Sequence, residues 1–398
     1  MNATDLKTAA SRGRWAIAAL FFINGFLIGS WAPQIPELVG RLSISESTLG
    51  LLILGFGLGA LTLMPLAGML MTRLGSQRVL RWFTALSVFS LLFVVLAPNV
   101  FLAAAALVVF GGLIGGMDVA MNSNAVAVEK KLSRAIMSSS HGFWSLGGFV
   151  GAGLGGYLIQ GLGYMAHAVI VTLALGLVFL LTVRSVVEDP PAPRPEKAAP
   201  MRLPTNPAVY LVGVLALFAM IPEGAVLDWA ALYLRQDLAA DAKTSGLAFA
   251  FFSGAMAALR FAGDKVRNWF GAVTTMRVSS VIAAIGVFAG GMASEPWQAI
   301  AAFGFAGLGI ANIVPIAFSA AGNQPGIAAS TGMSVVTTMG YSGILLAPSA
   351  IGFAAEHVGF STVYLALSAL LVVVFFLAPL VRSADFKPDP PFPGPEMI

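Results

Sequence analysis

The chain has 398 residues, of which 58% are hydrophobic and only 10% charged, with 44 glycines and a formal net charge of +4. A soluble domain carries about 25% charged residues, so a water-facing surface is excluded and a lipid bilayer is left as the solvent for most of the exterior. The small positive balance gives no case for nucleic-acid binding, and the absence of cysteine excludes disulfides, thiolate metal sites and cysteine catalysis.

The chain begins MNATDLKTAASRGR, a short basic stretch followed by an apolar run. A secretory signal has an apolar core of about 7–15 residues and a cleavage site. Here the run continues into Trp31, Pro33 and Pro36, and it reads as an uncleaved first span. Apolar stretches long enough for a ~30 Å hydrocarbon core follow one another at 14–38, 47–71, 79–97, 100–125, 136–160 and 164–184. A second series runs at 207–234, 244–263, 273–292, 297–319, 328–355 and 360–381. These twelve spans are numbered 1 to 12 below. The predicted division is a first bundle at 1–185, a linker at 186–206, a second bundle at 207–382 and a tail at 383–398. The linker is rich in proline and charge and has nothing to pack.

Of the 22 Lys and Arg residues, nineteen fall on the side of the N-terminus, Arg260 among them; only Arg41, Arg235 and Lys243 fall opposite. Positive charge marks the cytoplasmic side. The expectation is therefore a multi-pass protein of a bacterial inner membrane with both termini and the central loop in the cytoplasm. The halves also resemble each other. GGYLIQGLGY (155–164) aligns with AIGFAAEHVGF (350–360), pairing Gly156 with Gly352, Gly163 with Gly359 and Tyr164 with Phe360. NGFLIGSW at Asn24 echoes EGAVLDW at Glu223. Such matches predict parallel repeats about an axis normal to the membrane.

Twelve spans, a six-plus-six repeat and a polar linker resemble the major facilitator superfamily. The loop after span 2, GMLMTRLGSQRVLR, is similar to that family's gate signature at Gly68, Leu70, Arg73, Gly75 and Arg78. Thr72 stands where the signature has Asp, whereas a degenerate copy in the second half, RFAGDKVRNWFG, carries Asp264. Span 5 has the family's spaced glycines at Gly147, Gly151 and Gly155, small residues that let helix backbones approach in lipid. The segments GGMDVAMNSNAVAVEKKLSRAIMSSSHGFWSLGG and EGAVLDWAALYL are similar to a bacterial subgroup that includes rhizopine-transport-like proteins. The resemblance implies an all-α membrane fold of two six-helix bundles related by a pseudo-two-fold axis. It also implies a central cavity lined by spans 1, 4, 7 and 10.

Only three acids lie well inside apolar segments: Asp118, Glu223 and Asp228, with no Lys or Arg read as comparably deep. A carboxylate at a helix centre costs about 2.5–3.5 kcal/mol on insertion scales. Such groups face a wet cavity, carry a proton, or share hydrogen bonds with His and amide groups. Glu223 follows Pro222, which removes a backbone donor. Asn122 lies one turn from Asp118, and His141 of span 5 falls at similar depth, so an Asp118–His141 pair is expected. The proton-coupling candidates are Asp118, His141, Glu223 and Asp228. Each has a bland alternative as a static clip between helices.

Trp31, Trp144 and Trp229 offer faces for a sugar-like ring or a cation, although Trp31 and Trp229 fit an interfacial anchor as well. Asn24, Gln34, Asn122, Asn312 and Tyr341 complete the substrate-cavity candidates. His167 and His357 fall beside outer loops and read as solvated. No metal-ligand or nucleophile–base pattern is present, so neither an enzyme nor a cofactor is expected. The sequence reads as a monomeric secondary transporter of a small polar organic solute, neutral or cationic, driven by protons. A uniporter and a transporter-like ligand sensor remain as alternatives.

Overall fold

The computed structural model describes residues 3–132, 136–189, 204–327 and 329–385. Arg134, Arg194, Lys197, Arg202 and Lys387 lie outside the described residues, as do the side chains of Lys7, Lys130 and Asp264. All the elements described are helical. Among the described residues, eleven helical stretches are long and apolar enough to cross a bilayer. In the first half they are Ser11–Trp31, Glu46–Leu74, Ser76–Leu96, Val100–Glu129, Ser139–Leu162 and Tyr164–Ser185. Pro207–Gln236, Ala242–Gly263, Ala272–Gly291, Pro296–Gly322 and Val335–Ala384 follow in the second. The last breaks at Gly359 (φ 78°, ψ 157°) into spans 11 and 12. Among the described residues, that makes twelve helical segments of spanning length.

Span 1 is shorter than the sequence suggested. It ends at Trp31, and a separate short helix, Gln34–Leu42, follows a turn at Ala32 and Pro33. Side-chain caps start several helices. Ser45 accepts from the Thr48 N–H, Asn206 from Ala208 and Asp241 from Thr244. Each satisfies a backbone donor that has no partner within the helix. The Thr244 hydroxyl and N–H together hold the Asp241 carboxyl below the usual carboxylate range.

The internal repeat has a constant register. Gly75 and Gly271 share φ 78° and ψ 161° at the turns after spans 2 and 8. Gly163 and Gly359 share positive φ after spans 5 and 11. The Asp189 carboxylate accepts from the Ser76 and Gln77 N–H groups, and Asp385 accepts from Ala272. Position 75 to 271, 163 to 359 and 189 to 385 are all 196 residues apart, as are the Gly156 and Gly352 aligned from sequence. The Trp31 and Trp229 echo runs at 198 instead and belongs to a looser correspondence. A Cβ at Gly163 or Gly359 would meet nothing within 4 Å, so only the backbone demands glycine there. Gly359→Ala is therefore expected to destabilise by about 1–3 kcal/mol, read as a lower thermal midpoint in detergent.

Within each half, small residues set the helix spacing. A Cβ on Gly25 would lie 1.9 Å from the Trp144 carbonyl oxygen, and one on Gly151 would lie 2.4 Å from that of Phe26. Spans 1 and 5 thus touch backbone to backbone. Spans 2 and 4 do the same at Gly59 and Gly111. Between the halves, Gly156 and Gly246 bring spans 5 and 8 together, and Gly50 brings span 2 against Pro348 of span 11. The spaced glycines of span 5 divide their work accordingly: Gly147 and Gly151 face span 1, Gly155 faces Pro33 and His167, and Gly148 and Gly156 face span 8.

Candidate functional site

The centre of the seam between the halves answers how Glu223 can be buried. Arg260 of span 8 places Nη2 3.3 Å from Glu223 Oε1, with the two side chains 15% and 23% exposed. The same guanidinium donates through Nη1 to Ser145 Oγ of span 5 at 2.8 Å. Ser253 in turn donates to the Ser145 carbonyl at 2.8 Å. One arginine therefore holds an acid of its own half and a hydroxyl of the other. The reading that no base lies deep is corrected. Arg260 was counted with the loop charges, but the helix Ala242–Phe270 carries it inside, and its long stem delivers the charged head to Glu223.

Asp118 and His141 are not joined by a hydrogen bond or an ion pair, contrary to the expected clip. Asp118 accepts from Asn122 Nδ2 at 3.2 Å, the same amide donating to the Asp118 carbonyl at 2.9 Å. A partner one turn along the same helix is nearer than one on another span. His141 instead sets its ring edge-on to Phe21 of span 1, centroids 5.1 Å apart, and lies within electrostatic reach of Arg260. Tyr341 of span 11 is close enough to feel the charges of both Asp118 and Glu223. Spans 4, 5, 7, 8 and 11 thus converge on one polar cluster. It holds two carboxyls, one guanidinium, one imidazole and one phenol.

Other candidates turn out to be committed to packing. Asn24 is buried, donates to the Ile114 carbonyl at 3.3 Å and accepts from the Trp144 indole at 2.9 Å, tying spans 1, 4 and 5. Gln34 donates to the Tyr164 carbonyl and to His167 Nδ1. His167, expected to be solvated, is fully buried beside Gly155, because the turn after span 1 folds Gln34 back over span 6. His357 is exposed as expected. Trp31 and Trp229 are buried among helices, against Phe110 and Phe360 respectively, so neither is an interfacial anchor. Asn312 sits at a break in span 10, with its amide Nδ2 buried and without a partner and its Oδ1 against Gly263. Asp228 is buried on span 7, away from the cluster, in a small cavity shared with span 11.

In the gate signature, Arg73 and Arg78 are exposed and Gly68 has open space where a Cβ would be. Thr72 spends its hydroxyl on the Met69 carbonyl at 2.7 Å and does not stand in for the missing acid. The carboxylate at that turn comes from Asp189, just beyond span 6, a residue the signature does not include. The helix end that carries Asp264 is described, but its side chain is not.

On the side away from the termini the halves are latched. Arg235 pairs with Glu37 at 3.1 Å, with the side chains 32% and 24% exposed. Glu356 accepts from the Ser47 N–H at 3.1 Å, and Gln160 from the Lys243 N–H at 3.0 Å. Deeper along the seam, Ser349 donates to the Gly50 carbonyl at 3.2 Å. These contacts join the two halves on that side.

Residues 17–348 match the model of a family described as Major Facilitator Superfamily. An uncharacterised MFS-type transporter of Yersinia pestis is 35% identical over 356 residues, 89% of this chain and 92% of the relative. Membrane protein MosC of Rhizobium meliloti is 31% identical over 363 residues, 90% of this chain and 88% of the relative. Among solved structures, that of a D-xylose-proton symporter superposes with a TM-score of 0.72 at 14% identity, covering 93% of this chain and 98% of that one.

Proposed function

Because the chain belongs to the major facilitator superfamily and is a secondary transporter, we propose that it carries a small polar solute, neutral or cationic, with protons as the driving ion. The observation that carries this reading is the Arg260 bridge at the seam, held by Glu223 from one half and Ser145 from the other. An ionised Glu223 retains Arg260, and a protonated one releases it. Proton uptake would thereby change a contact between the two bundles, which is what coupling to alternating access requires.

The cargo class follows from the charge count in the cluster. Arg260 is engaged by Glu223, so it is no open clamp for a carboxylate or phosphate. Asp118 leaves an excess of acid. A neutral or cationic solute suits that surplus, and Tyr341 borders the same region. The D-xylose-proton symporter of similar fold moves a neutral sugar with a proton, in keeping with this reading. The positive charge on the terminal side favours cytoplasmic termini in a bacterial inner membrane. The latched side is then the outside.

A thermal-shift screen of sugars, cyclitols and amines on purified protein gives the probe, since a ligand of the folded state raises its apparent stability. Adding a hit to proteoliposomes loaded with a pH dye should move protons together with solute. Counterflow exchange with no proton movement would overturn the coupling and leave a uniporter. Saturable binding without any flux would leave a sensor.

A further inference from the structure

Between spans 7 and 11 lies a cavity with room for about one water. Its walls are apolar, from Met220, Ile221, Ile344, Ala347 and Ile351 among others, apart from one group: the Asp228 carboxyl. Asp228 is only 8% exposed and has no hydrogen-bond partner in the protein. Two more polar groups belong to residues of the same wall. Pro348 has no N–H, so the Ile344 carbonyl loses its helical donor. The Trp229 indole N–H is buried without an acceptor. A cavity of this size holds one water, and a carboxyl without a protein partner is a group that such a water would satisfy. A bare carboxylate among apolar side chains is not a stable arrangement. A hard metal ion would need about six oxygen ligands, more than this wall offers.

Among the described residues, no cation lines the cavity. Span 11 presents no titratable group to the cavity. Tyr364 of span 12 feels the Asp228 charge, but it donates its hydroxyl to the Ala225 carbonyl at 3.0 Å. Arg235, about two turns further along span 7, is paired with Glu37. Glu46, at the start of span 2, acts on Asp237. Pro348, one of the wall residues, also meets the seam: its carbonyl would be 2.7 Å from a Cβ on Gly50 of span 2, and Ser349 donates to the Gly50 carbonyl.

We infer that this cavity is a second proton site, separate from the Glu223–Arg260 pair. Asp228 holds a proton there beside one trapped water and exchanges it with the outside when spans 2 and 11 part. In the step itself, a hydronium ion from outside water gives its proton to the carboxylate, leaving a carboxylic acid and one water. The inference rests on the proton-coupled reading above, and its test is independent of transport.

The test is infrared difference spectroscopy of the full chain in lipid nanodiscs as pH is lowered, with hydrogen ion as the only probe, repeated in D2O. A carboxylic-acid carbonyl band that shifts in D2O should be lost in Asp228→Asn and kept in Glu223→Gln. Identical spectra for the wild type and Asp228→Asn would overturn the second site and leave coupling at Glu223 untouched. Loss of the band in Glu223→Gln instead would overturn it as well.

Discussion

In Glu223→Gln, accumulation of solute against its gradient is expected to cease in proteoliposomes, whereas counterflow exchange at equal pH continues. The amide keeps the size of the acid and a contact with Arg260 but can neither bind nor release a proton at working pH. Asp118→Asn, which keeps a hydrogen-bonding partner for Asn122, should behave alike if both carboxyls serve the coupling. Removing the base instead has a different signature. Arg260→Ala leaves Glu223 charged and unpaired in a site where it is only 23% exposed. Breaking a buried pair from one side costs about 3–5 kcal/mol, and the partial exposure here puts the expectation near the lower end. Combining Glu223→Gln with Arg260→Ala should restore most of that loss, because no stranded charge remains. Thermal unfolding of the four proteins measures the interaction as a double-mutant cycle. Additive losses would show that the pair is too wet to matter.

A second large effect is expected where no charge is involved. Gly25→Val would push side-chain carbon to within 1.9 Å of the Trp144 carbonyl oxygen, and a helix backbone cannot yield as a side-chain tip can. Spans 1 and 5 must then separate, breaking the adjacent Asn24–Trp144 hydrogen bond. Overpacking commonly costs about 1–3 kcal/mol, and more when backbone must move. The expected result is little or no monodisperse protein on size exclusion in detergent. Gly40→Ala is the control. It sits in the helix Gln34–Leu42 with nothing within 4 Å of a Cβ, so it should be neutral or stabilise by about 0.5–1 kcal/mol. Equal behaviour of the two variants would mean that the close approach of spans 1 and 5 is not what holds the half together.

Most of the fold was legible because bilayer crossing leaves a coarse signal, about twenty apolar residues between polar breaks. Even the repeat was visible at Gly163 and Gly359, since a positive φ leaves glycine as the favoured residue. The site was less legible, for a reason Arg260 illustrates. It lies inside the stretch predicted as span 8, 244–263, yet a rule that counts loop charges took it for one of them. The sign that could have found it was a basic residue enclosed by AFAFFSGAMAALRFAG. Asp118 shows a different limit. Depth along a helix can be counted from sequence, but helix rotation decides which face meets which, and rotation is set by packing. His167 was misplaced because a break at Ala32–Pro33 shortened span 1 and redirected Gln34. Asp189 escaped notice because it lies past the end of its bundle, where the signature does not look.

The 196-residue register has a consequence for how the two halves can be connected. Each half closes its own hairpin with a carboxylate supplied from its own last helix, Asp189 onto Ser76 and Asp385 onto Ala272. Neither tether borrows an atom from the sister unit. Each bundle is therefore fastened at its own end by its own chain segment, and the two fastenings can be lost one at a time.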